Sequence, residues 1–467
     1  MQCKPITHDG YSLFQEGSIT LAEMECNGFC IDTAYIERAQ KHLSMKIQTL
    51  TKRMKKDKIY RVWKQKYGLK MNFGSREQLG DIVFNELELA KGVRTATGRY
   101  KADKAALENI DVPFLEWYTK LEQFKKAKGT YLNGIQRHTD AEGFIHPFFG
   151  LDTVRTFRGS CADPNLQNIP IRDPIIKKLV RRAFIPREPN RHIVEHDFSG
   201  VEVKVAACYN RDPNLLRYVK DPTTDMHRDM AMRCFMLSKK QVSKKPRDCT
   251  KGHFVFPEFY GDWYLSCAQS LWRDIDKMKL KTKDGVPLRK HLRSKGIKKL
   301  GACVMGETPV RGTFEYHIKQ VEKDFWGIRF KVYDQWRWEW WEDYLDRGYF
   351  DTLTGFHISG ALDRKKVINY PIQGSAFHCL LWCLIRINKL LRKYKMKTKL
   401  IGQIHDSVIA DVLHRELKDY IEIAHQVMTI DLCKHWSWII VPMKVDAEIA
   451  PMGRSWFEKG KYCGTLS

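Results

Sequence analysis

The sequence predicts an α+β fold divided into several subdomains, and three observations support this prediction. The chain has 467 residues, which is more than a single compact core usually encloses. Hydrophobic residues make up 43% of it, enough for a folded globular protein. Apolar strand patterns, one running into a helix and two others forming a hairpin, alternate with long helical stretches. We find no internal repeat and no low-complexity tract.

The charge balance is strongly basic. Lys and Arg total 80 against 55 Asp and Glu, so the formal net charge is +25 and the sequence pI is about 9.4. A basic enzyme of this size usually acts on a polyanion. A merely solvated cationic surface is the alternative, and charge alone does not exclude it.

The thirteen cysteines do not form a recognisable metal or redox motif. The two closest pairs, Cys26 with Cys30 and Cys379 with Cys383, are four residues apart, which is not the CxxC spacing. We interpret the cysteines as reduced, mostly buried thiols of a cytosol-like compartment. No apolar run reaches the length of a membrane span, and the N-terminus is unlike a signal peptide. The sequence therefore predicts a soluble cytoplasmic protein with no membrane partner; an organelle is the alternative compartment.

The first part of the chain reads as helical. A helix ends at an Asn27-Gly28 turn, and a long helix opens near Asp32-Thr33. We expect this helix to continue through "KRMKKDKIYRVWKQK", where Lys and Arg alternate with apolar residues, namely Ile59, Tyr60, Val62 and Trp63. Such a face can follow nucleic-acid phosphates or can be an ordinary solvated helix, and the sequence favours neither.

The rest of the chain mixes loops, strands and helices. "TFRGSCADPNLQNIPIRD" is typical of a loop, and "RHIVEHDFSGVEVKVAACY" predicts a strand followed by a helix. Residues 225–261 look helical with basic insertions, and 265–315 look irregular and lysine-rich, typical of an elaborated surface region. "FKVYDQWRWEWWEDYLDRGYF" and "FHCLLWCLIRINKLLRKY" predict helices, and "KTKLIGQIHDSVIADV" predicts a hairpin.

Two aspartates are the first candidates for chemistry. Asp197 follows an apolar strand, with Glu202 five residues later, and Asp406 lies at the turn of the predicted hairpin. Aspartates on neighbouring strands can bind two divalent ions and so promote phosphoryl transfer. Taken singly, however, an aspartate at a strand end is more often a turn or cap residue than a ligand.

A third stretch, "KKPRDCTKGHFVFPEFYG", combines cations with aromatic residues. Arg247 and Lys251 are four residues apart, so on a helix they share one face that suits a triphosphate. His227 is a candidate for a further phosphate contact, although a single histidine is usually structural. An aromatic stripe is also more often core than a stacking surface.

Together these stretches resemble the family A DNA polymerases. "DFSGVEVK" is similar to the family's "DYSQIELR", and "DPNLQNIP" from Asp163 to Pro170 matches it without a change. "RDCTKGHFVFPEFYG" is similar to "RxxxKxxxFGxxYG", "NYPIQGSAFH" to "NAPMQGTAAD", and "QIHDS" to "QVHDE". The motifs stand in family order over roughly residues 21–457.

The resemblance implies a role for each matching residue. Asp197, Asp406 and the Phe198 carbonyl would bind two Mg²⁺ ions, for which Mn²⁺ would substitute. The residues expected to bind the incoming dNTP are Arg247, Lys251, His227, Phe256, Tyr260 and Glu202. Among these, Lys251 would also neutralise or protonate the leaving pyrophosphate, and Glu202 would act as a steric gate against a ribose 2′-OH. The expected DNA-binding residues are Arg158, Asn165, Gln167, Asn168, Arg181, Asn369, Gln373, Gln403 and His405.

The resemblance also implies an architecture and a reaction. We expect a right-hand polymerase with an antiparallel-sheet palm, helical fingers and a helical thumb. The expected divisions are an N-terminal segment 1–24, a thumb 25–135, a palm 146–235 and 360–467, and fingers 236–359 with an insertion near 265–315. The reaction would be primer extension with dNTPs on primer-template DNA. A separate exonuclease, helicase or processivity factor is a further candidate partner.

Three departures from the family pattern affect these expectations, and the first two lie close together in the chain. One residue more than usual separates Lys251 from the Tyr260-Gly261 pair, and Pro257 falls inside the predicted helix. A local bulge would absorb both features. We therefore expect Phe256, rather than Val255, to face the sugar, and hence discrimination against dideoxynucleotides.

The other departure is that the thumb-like sequence starts about twenty residues from Met1. We therefore expect no intrinsic 3′–5′ proofreading, and a phage-type enzyme. Two alternatives remain open at this stage. One is a single-subunit RNA polymerase-like enzyme, which Ser407 in "HDS" favours and Glu202 disfavours. The other is a catalytically inactive polymerase-like DNA-binding subunit.

Overall fold

A computed structural model describes residues 3–92, 94–95, 98–100, 102, 106–107, 110–169, 173–304 and 306–464. Of Cys3, only the backbone is described. Pro170, the last residue of "DPNLQNIP", lies outside these ranges. Within them, helices and antiparallel sheets occur together, which agrees with the predicted α+β class.

A five-stranded antiparallel sheet forms the centre of the molecule, and we call it the central sheet. Its strands, in spatial order, are Lys399–Ile404, Ser407–Leu413, Arg191–Phe198, Val445–Ile449 and Gly460–Lys461. The predicted hairpin is confirmed, because its two strands pair directly and only His405 and Asp406 connect them. The predicted strand before Asp197 is confirmed as well, and it lies in the middle of the sheet.

Helices from both ends of the chain pack around this sheet. They are His8–Asn27, Val201–Asn210, Arg364–Lys393, Leu417–Gln426 and Leu432–His435, with a wide turn Val427–Asp431 between the last two. The N-terminal helix lies close against Arg364–Lys393, since a Cβ at Gly17 would approach the Leu381 side chain to 2.8 Å. The boundary predicted between the N-terminal segment and the thumb, at residues 24 and 25, therefore falls inside the helix His8–Asn27, which packs on Arg364–Lys393.

A first helical lobe spans residues 33–138. Its helical elements are Thr33–Lys55, Lys58–Tyr67, Gly68–Lys70, Arg76–Asp81, Ile82–Glu86, Pro113–Lys126, Ala127–Leu132 and Asn133–His138. The prediction of one long helix through residue 66 is wrong. The Asp57 carboxylate accepts a hydrogen bond of 2.8 Å from the Ile59 amide and so caps a separate second helix. Ile59 and Trp63 are buried in the lobe's own core, so they do not form a nucleic-acid face.

A second helical lobe spans residues 213–347. Its elements are Pro213–Lys220, Met226–Cys234, Lys239–Gln241, Lys244–Thr250, Lys251–Val255, Phe256–Phe259, Tyr264–Lys277, Leu288–Ser294, Phe314–Asp324, Phe325–Arg329 and Lys331–Arg347. The expectation that 265–315 is irregular is wrong in part. Leu265, Leu271 and Ile275 follow the helical period and are buried, which fixes a regular helix there.

Smaller elements complete the fold. The remaining strands are Cys3–Pro5, Phe29–Ile31, Phe144–Ile145, Phe148–Gly150, Ser160–Ala162, Phe184–Ile185, Tyr349–Asp351 and Phe356–Ser359. The remaining helical elements are Leu166–Asn168, Pro174–Arg181, His414–Glu416 and Trp456–Glu458. In the part of the chain that the structure describes, none of the helices combines the length and apolar character that a membrane crossing needs.

Candidate active site

Asp197 and Asp406 meet at one edge of the central sheet. Asp197 lies opposite Ser407 on one neighbouring strand and Asp446 on the other. The Phe198 amide donates a hydrogen bond of 3.2 Å to the Asp406 carbonyl, which fixes the hairpin turn beside the middle strand. The sheet therefore brings together the two aspartates that the sequence singled out.

The pKa of Asp197 is raised, first by burial and then by the nearby Asp406 carboxylate. Burial raises it to about 7, and the negative charges of Asp406 and Glu195 and a hydrogen bond to Asp406 add to the rise. Two facing carboxylates of this kind repel each other unless a proton or a cation lies between them. The donors are all hard oxygens, which suits Mg²⁺ and similar ions.

The protein donors to such an ion are few. Among the described residues, no group of three or more His, Cys, Asp or Glu side chains is arranged to hold a metal. Asp197, Asp406 and the Phe198 carbonyl therefore fit a site at which substrate and water oxygens complete the coordination, as is usual for Mg²⁺.

Ser407 and Gln403 are occupied by the hairpin itself. The Ser407 hydroxyl is buried and donates a hydrogen bond of 2.8 Å to the Ile404 carbonyl. Gln403 is only 1% exposed; its amide oxygen accepts a hydrogen bond of 2.9 Å from Gln167, and its amide nitrogen donates to the His405 carbonyl. These hydrogen bonds tie Gln403 to Gln167 and to the turn, and the contact of Gln403 with DNA stays a prediction.

Across the cleft, the helix Lys244–Thr250 continues into a wide turn, Lys251–Val255. The Phe256 amide bonds to the Lys251 carbonyl, five residues back, so the helix accommodates one extra residue just before Pro257. This confirms the predicted local bulge. Val255 is buried, whereas Phe256 is half-buried and lines the cleft.

Arg247 and Lys251 supply positive charge on this side. The Arg247 Nε donates a hydrogen bond of 2.7 Å to Asp225, and its Nη1 lies 3.0 Å from the Asp248 carboxylate. These contacts orient the guanidinium and, with the Asp225 hydrogen bond as the main cause, raise the pKa of Arg247. Lys251 is exposed, and its ammonium lies 5.3 Å from the centroid of the Phe256 ring.

His227 lies behind these two cations. Its ring is 5.6 Å from the Phe256 ring, centroid to centroid. Burial, followed by the charges of Lys251 and Arg247, lowers the pKa of His227 to about 4. The imidazole is therefore neutral at pH 7, and it can offer a phosphate a hydrogen bond but no charge.

A cleft of about 330 Å³ separates the two sides. Its lining includes Arg158, Glu202, Phe256, Tyr260, Gln373, Phe377, His405 and Asp406. The Tyr260 hydroxyl is hydrogen-bonded to the Glu202 carboxylate, and an Arg158 nitrogen lies 3.9 Å from that carboxylate. Seven predicted residues, from sequence positions as far apart as 158 and 406, therefore share one cavity.

Two residues that were predicted to contact DNA, Arg181 and Asn369, are buried. Arg181 is only 4% exposed, and its guanidinium stacks 4.0 Å from the Trp456 ring centroid, so protein covers it in this structure and its contact with DNA stays a prediction. The amphipathic helix Pro174–Arg181 turns this residue inward. Asn369 is buried as well, and its amide donates a hydrogen bond of 3.0 Å to the Tyr260 carbonyl, so that it holds the end of the opposing helix.

A larger groove of about 970 Å³ meets the cleft at His405. It runs between the central region and the first helical lobe, and Gln167 and Asn168 line it together with His405. Asn165 is exposed next to them. Sequence reasoning missed the basic residues on the other wall, which are Arg76, Lys125 and Lys126. The signal available for the two lysines was the basic end of the helix Pro113–Lys126.

Comparisons with known proteins agree with this geometry. The model of the family described as "DNA polymerase family A" matches residues 34–280 and 353–458. DNA polymerase I of Lactococcus lactis subsp. cremoris is 30% identical over 448 residues, covering 94% of this chain and 44% of that protein. DNA polymerase I of Bacillus subtilis is 27% identical over 463 residues, covering 97% of this chain and 46% of that protein. This chain thus spans about half the length of the curated relatives it matches.

A solved structure shares the fold. It is described as the POL domain of Pol1 from M. smegmatis in complex with DNA primer-template and dNTP. The TM-score is 0.72 at 22% sequence identity, and the match covers 95% of this chain and 70% of that one. The predicted right-hand architecture, with an antiparallel central sheet and helical lobes on either side, is confirmed by this match.

Proposed function

The chain belongs to DNA polymerase family A, and on this basis we propose that it extends a primer 3′-hydroxyl with dNTPs on a DNA template. The observation that carries the proposal is the meeting of Asp197 and Asp406 at a cleft that Asp406 and Phe256 both line, with the Lys251 ammonium 5.3 Å from the centroid of the Phe256 ring. Nucleotidyl transfer needs carboxylates that bind metal ions and cationic side chains that bind the phosphates of the nucleotide.

Family A polymerases use divalent metal ions, and we propose that two Mg²⁺ ions, or Mn²⁺ in their place, bind this chain. Asp197, Asp406 and the Phe198 carbonyl would hold them. When bound, such ions favour ionisation of the attacking hydroxyl and neutralise the leaving oxygens.

The protein's own groups act on the other reactant. Arg247, Lys251 and neutral His227 hold the triphosphate, with Arg247 already oriented by Asp225. The primer oxygen bonds to the α-phosphorus, the bond from that phosphorus to the bridging oxygen breaks, and pyrophosphate leaves. Lys251 is free to turn toward the leaving group and to donate a proton to it.

We propose that the part of the cleft lined by Glu202, Phe256 and Tyr260 selects the sugar of the incoming nucleotide. Tyr260 holds the Glu202 carboxylate by a hydrogen bond, so that the carboxylate occupies a fixed position in the cavity. A ribose 2′-hydroxyl in that space would clash with it. Phe256, which lines the same cavity, is the aromatic we propose beside the 3′ position of the sugar.

The structural regions also suggest where the polymerase subdomains lie. We propose the thumb within about residues 25–135, the palm within 146–235 and 360–467, and the fingers within 236–359. The helix Met226–Cys234 packs against Lys244–Thr250, which supports moving the start of the fingers earlier. We place the protein in the cytoplasm, that of the host if a phage encodes it.

Primer extension on a defined DNA template, with matched and mismatched primer ends, tests the function. We expect extension with dNTPs, strong discrimination against NTPs, and loss of extension in Asp197→Asn and Asp406→Asn. Asp419→Asn, at an exposed position away from the cleft, is the matched control and should retain activity. Extension that survives the loss of either cleft aspartate, or equal use of NTPs, would contradict the proposal.

A further inference from the structure

Residues 459–461 form the last edge of the central sheet, and we call them the C-terminal edge segment. The strand Gly460–Lys461 pairs with Val445–Ile449, with Lys461 opposite Glu448. The residues that the family model matches end at 458, so the match does not account for this segment.

Four acidic residues lie beside the segment on one face of the sheet, and we call them the acidic block. Glu195 and Asp197 are two positions apart on the middle strand, so their side chains share a face. On the neighbouring strand, Glu448 lies directly opposite Glu195, and Asp446 directly opposite Asp197. Opposite residues of an antiparallel pair also share a face. One corner of the acidic block is therefore Asp197, a proposed metal ligand.

Lys459 pairs with two members of the block at once. Its ammonium is hydrogen-bonded to the Glu195 carboxylate and lies 2.5 Å from the Glu448 carboxylate. The Lys459 side chain is only 9% exposed, so salt screens these attractions less than it would at the surface. The Trp456 indole donates a further hydrogen bond of 2.8 Å to Glu195, and the charge of Arg181 acts on both carboxylates. The C-terminal part of the chain thus holds Glu195 in place with two donors.

The two remaining acids of the block differ from each other. The Asp446 carboxylate lies 2.9 Å from the Lys461 ammonium and accepts a hydrogen bond of 2.9 Å from the Ser199 hydroxyl. The Lys461 side chain is 69% exposed, so this pair is a weak one. In the part of the chain that the structure describes, no lysine forms an ion pair with Asp197. Asp197 is therefore the acid of the block that is left for a metal ion.

This pairing matters for the metal site because the charges are close together. The charges of Glu195 and Lys459 both act on Asp197, in opposite directions. The number of charged ligands around a divalent ion sets how tightly the ion is held. An unpaired Glu195 would add a negative charge beside Asp197, and Lys459 offsets that charge.

We infer that Lys459 is a positioning residue for the metal site: it pairs with Glu195 and Glu448, so that metal ions meet the carboxylates of Asp197 and Asp406 alone. The inference rests on the proposed polymerase function, which places metal ions at those two aspartates. The alternative is that Lys459 only fastens the C-terminal edge segment to the sheet. That alternative predicts a change in stability with no change in metal affinity.

The experiment measures Mn²⁺ binding to the full chain without DNA or dNTP, by the electron paramagnetic resonance signal of free Mn²⁺. Low ionic strength is used, because salt screens charge effects least there. Lys459→Gln leaves both glutamates unpaired and should tighten Mn²⁺ binding by about fivefold, the effect of one charge about 8 Å from a divalent ion in water-like surroundings. Glu448→Gln removes one negative charge and should weaken binding by a similar factor.

Two further variants separate charge from other effects. The double variant Lys459→Gln/Glu448→Gln restores the net charge of the block, and its Mn²⁺ affinity should return to within about twofold of the wild type. Lys399→Gln is the matched control, since Lys399 is an exposed lysine that begins the opposite edge strand of the same sheet. This variant should bind Mn²⁺ as the wild type does.

Other results would overturn the inference. Unchanged Mn²⁺ affinity in Lys459→Gln, with a lower thermal midpoint, would show that Lys459 only fastens the strand. A double variant that binds as tightly as Lys459→Gln would show that charge is not the cause. If Lys459→Gln does not fold, Glu448→Gln decides, and unchanged binding in that variant removes the inference.

The proposed function is scored separately. A wild type that fails to extend a primer, or an Asp197→Asn variant that binds Mn²⁺ as the wild type does, would contradict the polymerase proposal, whatever Lys459→Gln shows. If the wild type extends the primer and Asp197→Asn loses Mn²⁺, while Lys459→Gln binds Mn²⁺ unchanged, only the inference about Lys459 fails.

Discussion

Two carboxylates on opposite sides of the cleft, the half-buried Asp197 and the fully buried Glu258, both have a raised pKa. Asp197 stands in the middle strand of the central sheet, and Glu258 in the short helix Phe256–Phe259 of the second lobe. Burial is the largest cause of the raised pKa in each, to about 7 for Asp197 and about 8 for Glu258. Each also has an acidic neighbour, Asp406 in one case and Glu322 in the other.

The two sites differ in what can offset the repulsion between the neighbouring carboxylates. Asp406, beside Asp197, lines the open cleft, so a cation can reach the pair from solvent. Glu258 is 0% exposed and accepts hydrogen bonds from the Trp326 indole at 2.9 Å and the Cys267 thiol at 3.6 Å. A metal cannot enter there, so the charge is offset by a proton and, to a smaller extent, by the nearby Arg337 guanidinium, which lowers the pKa of Glu258. The same raised pKa therefore indicates a functional site in one place and a structural one in the other.

The largest effect is expected from Asp197→Asn. Loss of one metal-binding carboxylate should lower the rate of primer extension by about a thousandfold or more, since metal stabilisation of the reacting oxygens is worth several kcal/mol. A second readout separates metal binding from other damage. Mg²⁺ or Mn²⁺ should raise the thermal midpoint of the wild type by binding the folded state, and this rise should be absent in the variant.

Glu258→Gln is the control for that experiment, because it changes the other carboxylate to its amide in the same way. The variant should keep the metal-dependent rise in thermal midpoint. If Asp197→Asn retained the rise, or if Glu258→Gln lost it, the distinction between an open and a sealed carboxylate would fail.

A smaller effect is expected from Glu258→Ala, on stability. The substitution removes the acceptor of the Trp326 indole and leaves a small cavity among buried side chains. An unpaired buried donor costs about 1–3 kcal/mol, so calorimetry should show a lower thermal midpoint than in Glu258→Gln. Equal midpoints for the Ala and Gln variants would show that the hydrogen bond from Trp326 does not stabilise the lobe.

The sequence predicted the central sheet and the position of Asp197 and Asp406 on it well. Asp197 and Asp406 stand where apolar strand patterns end, and the turn of the hairpin is marked by two polar residues, His405 and Asp406, between two mostly apolar runs. The extra residue before Tyr260, together with Pro257, correctly indicated a bulge in the helix. These are local signals, carried by residues next to one another in the chain.

The features that the sequence could not supply depend on burial by distant residues. Arg181 looks like a surface cation until Trp456, 275 positions later, covers it. Gln403 resembles a DNA contact, but its amide is engaged by Gln167 from another loop. Glu258 gave no signal, because the Trp326 indole that donates to it is 68 positions later in the chain. The cap at Asp57, in contrast, was visible in the sequence, and the long-helix prediction overlooked it.

The most gradual expected effect concerns how stability depends on pH. The pKa of Glu258 is raised from 4.5 to about 8 in the folded protein, so the folded state binds the proton more tightly than the unfolded chain does. The stability that this proton provides is complete below pH 4.5 and is lost as the pH rises toward 8. For one proton the slope cannot exceed about 1.4 kcal/mol per pH unit. Glu258→Gln keeps the acceptor for Trp326 but cannot ionise, so its thermal midpoint should fall less steeply than that of the wild type between pH 5 and about 8. Parallel curves for the two proteins would mean that Glu258 is already ionised when folded, and that the sealed carboxylate is neutralised by something other than a proton.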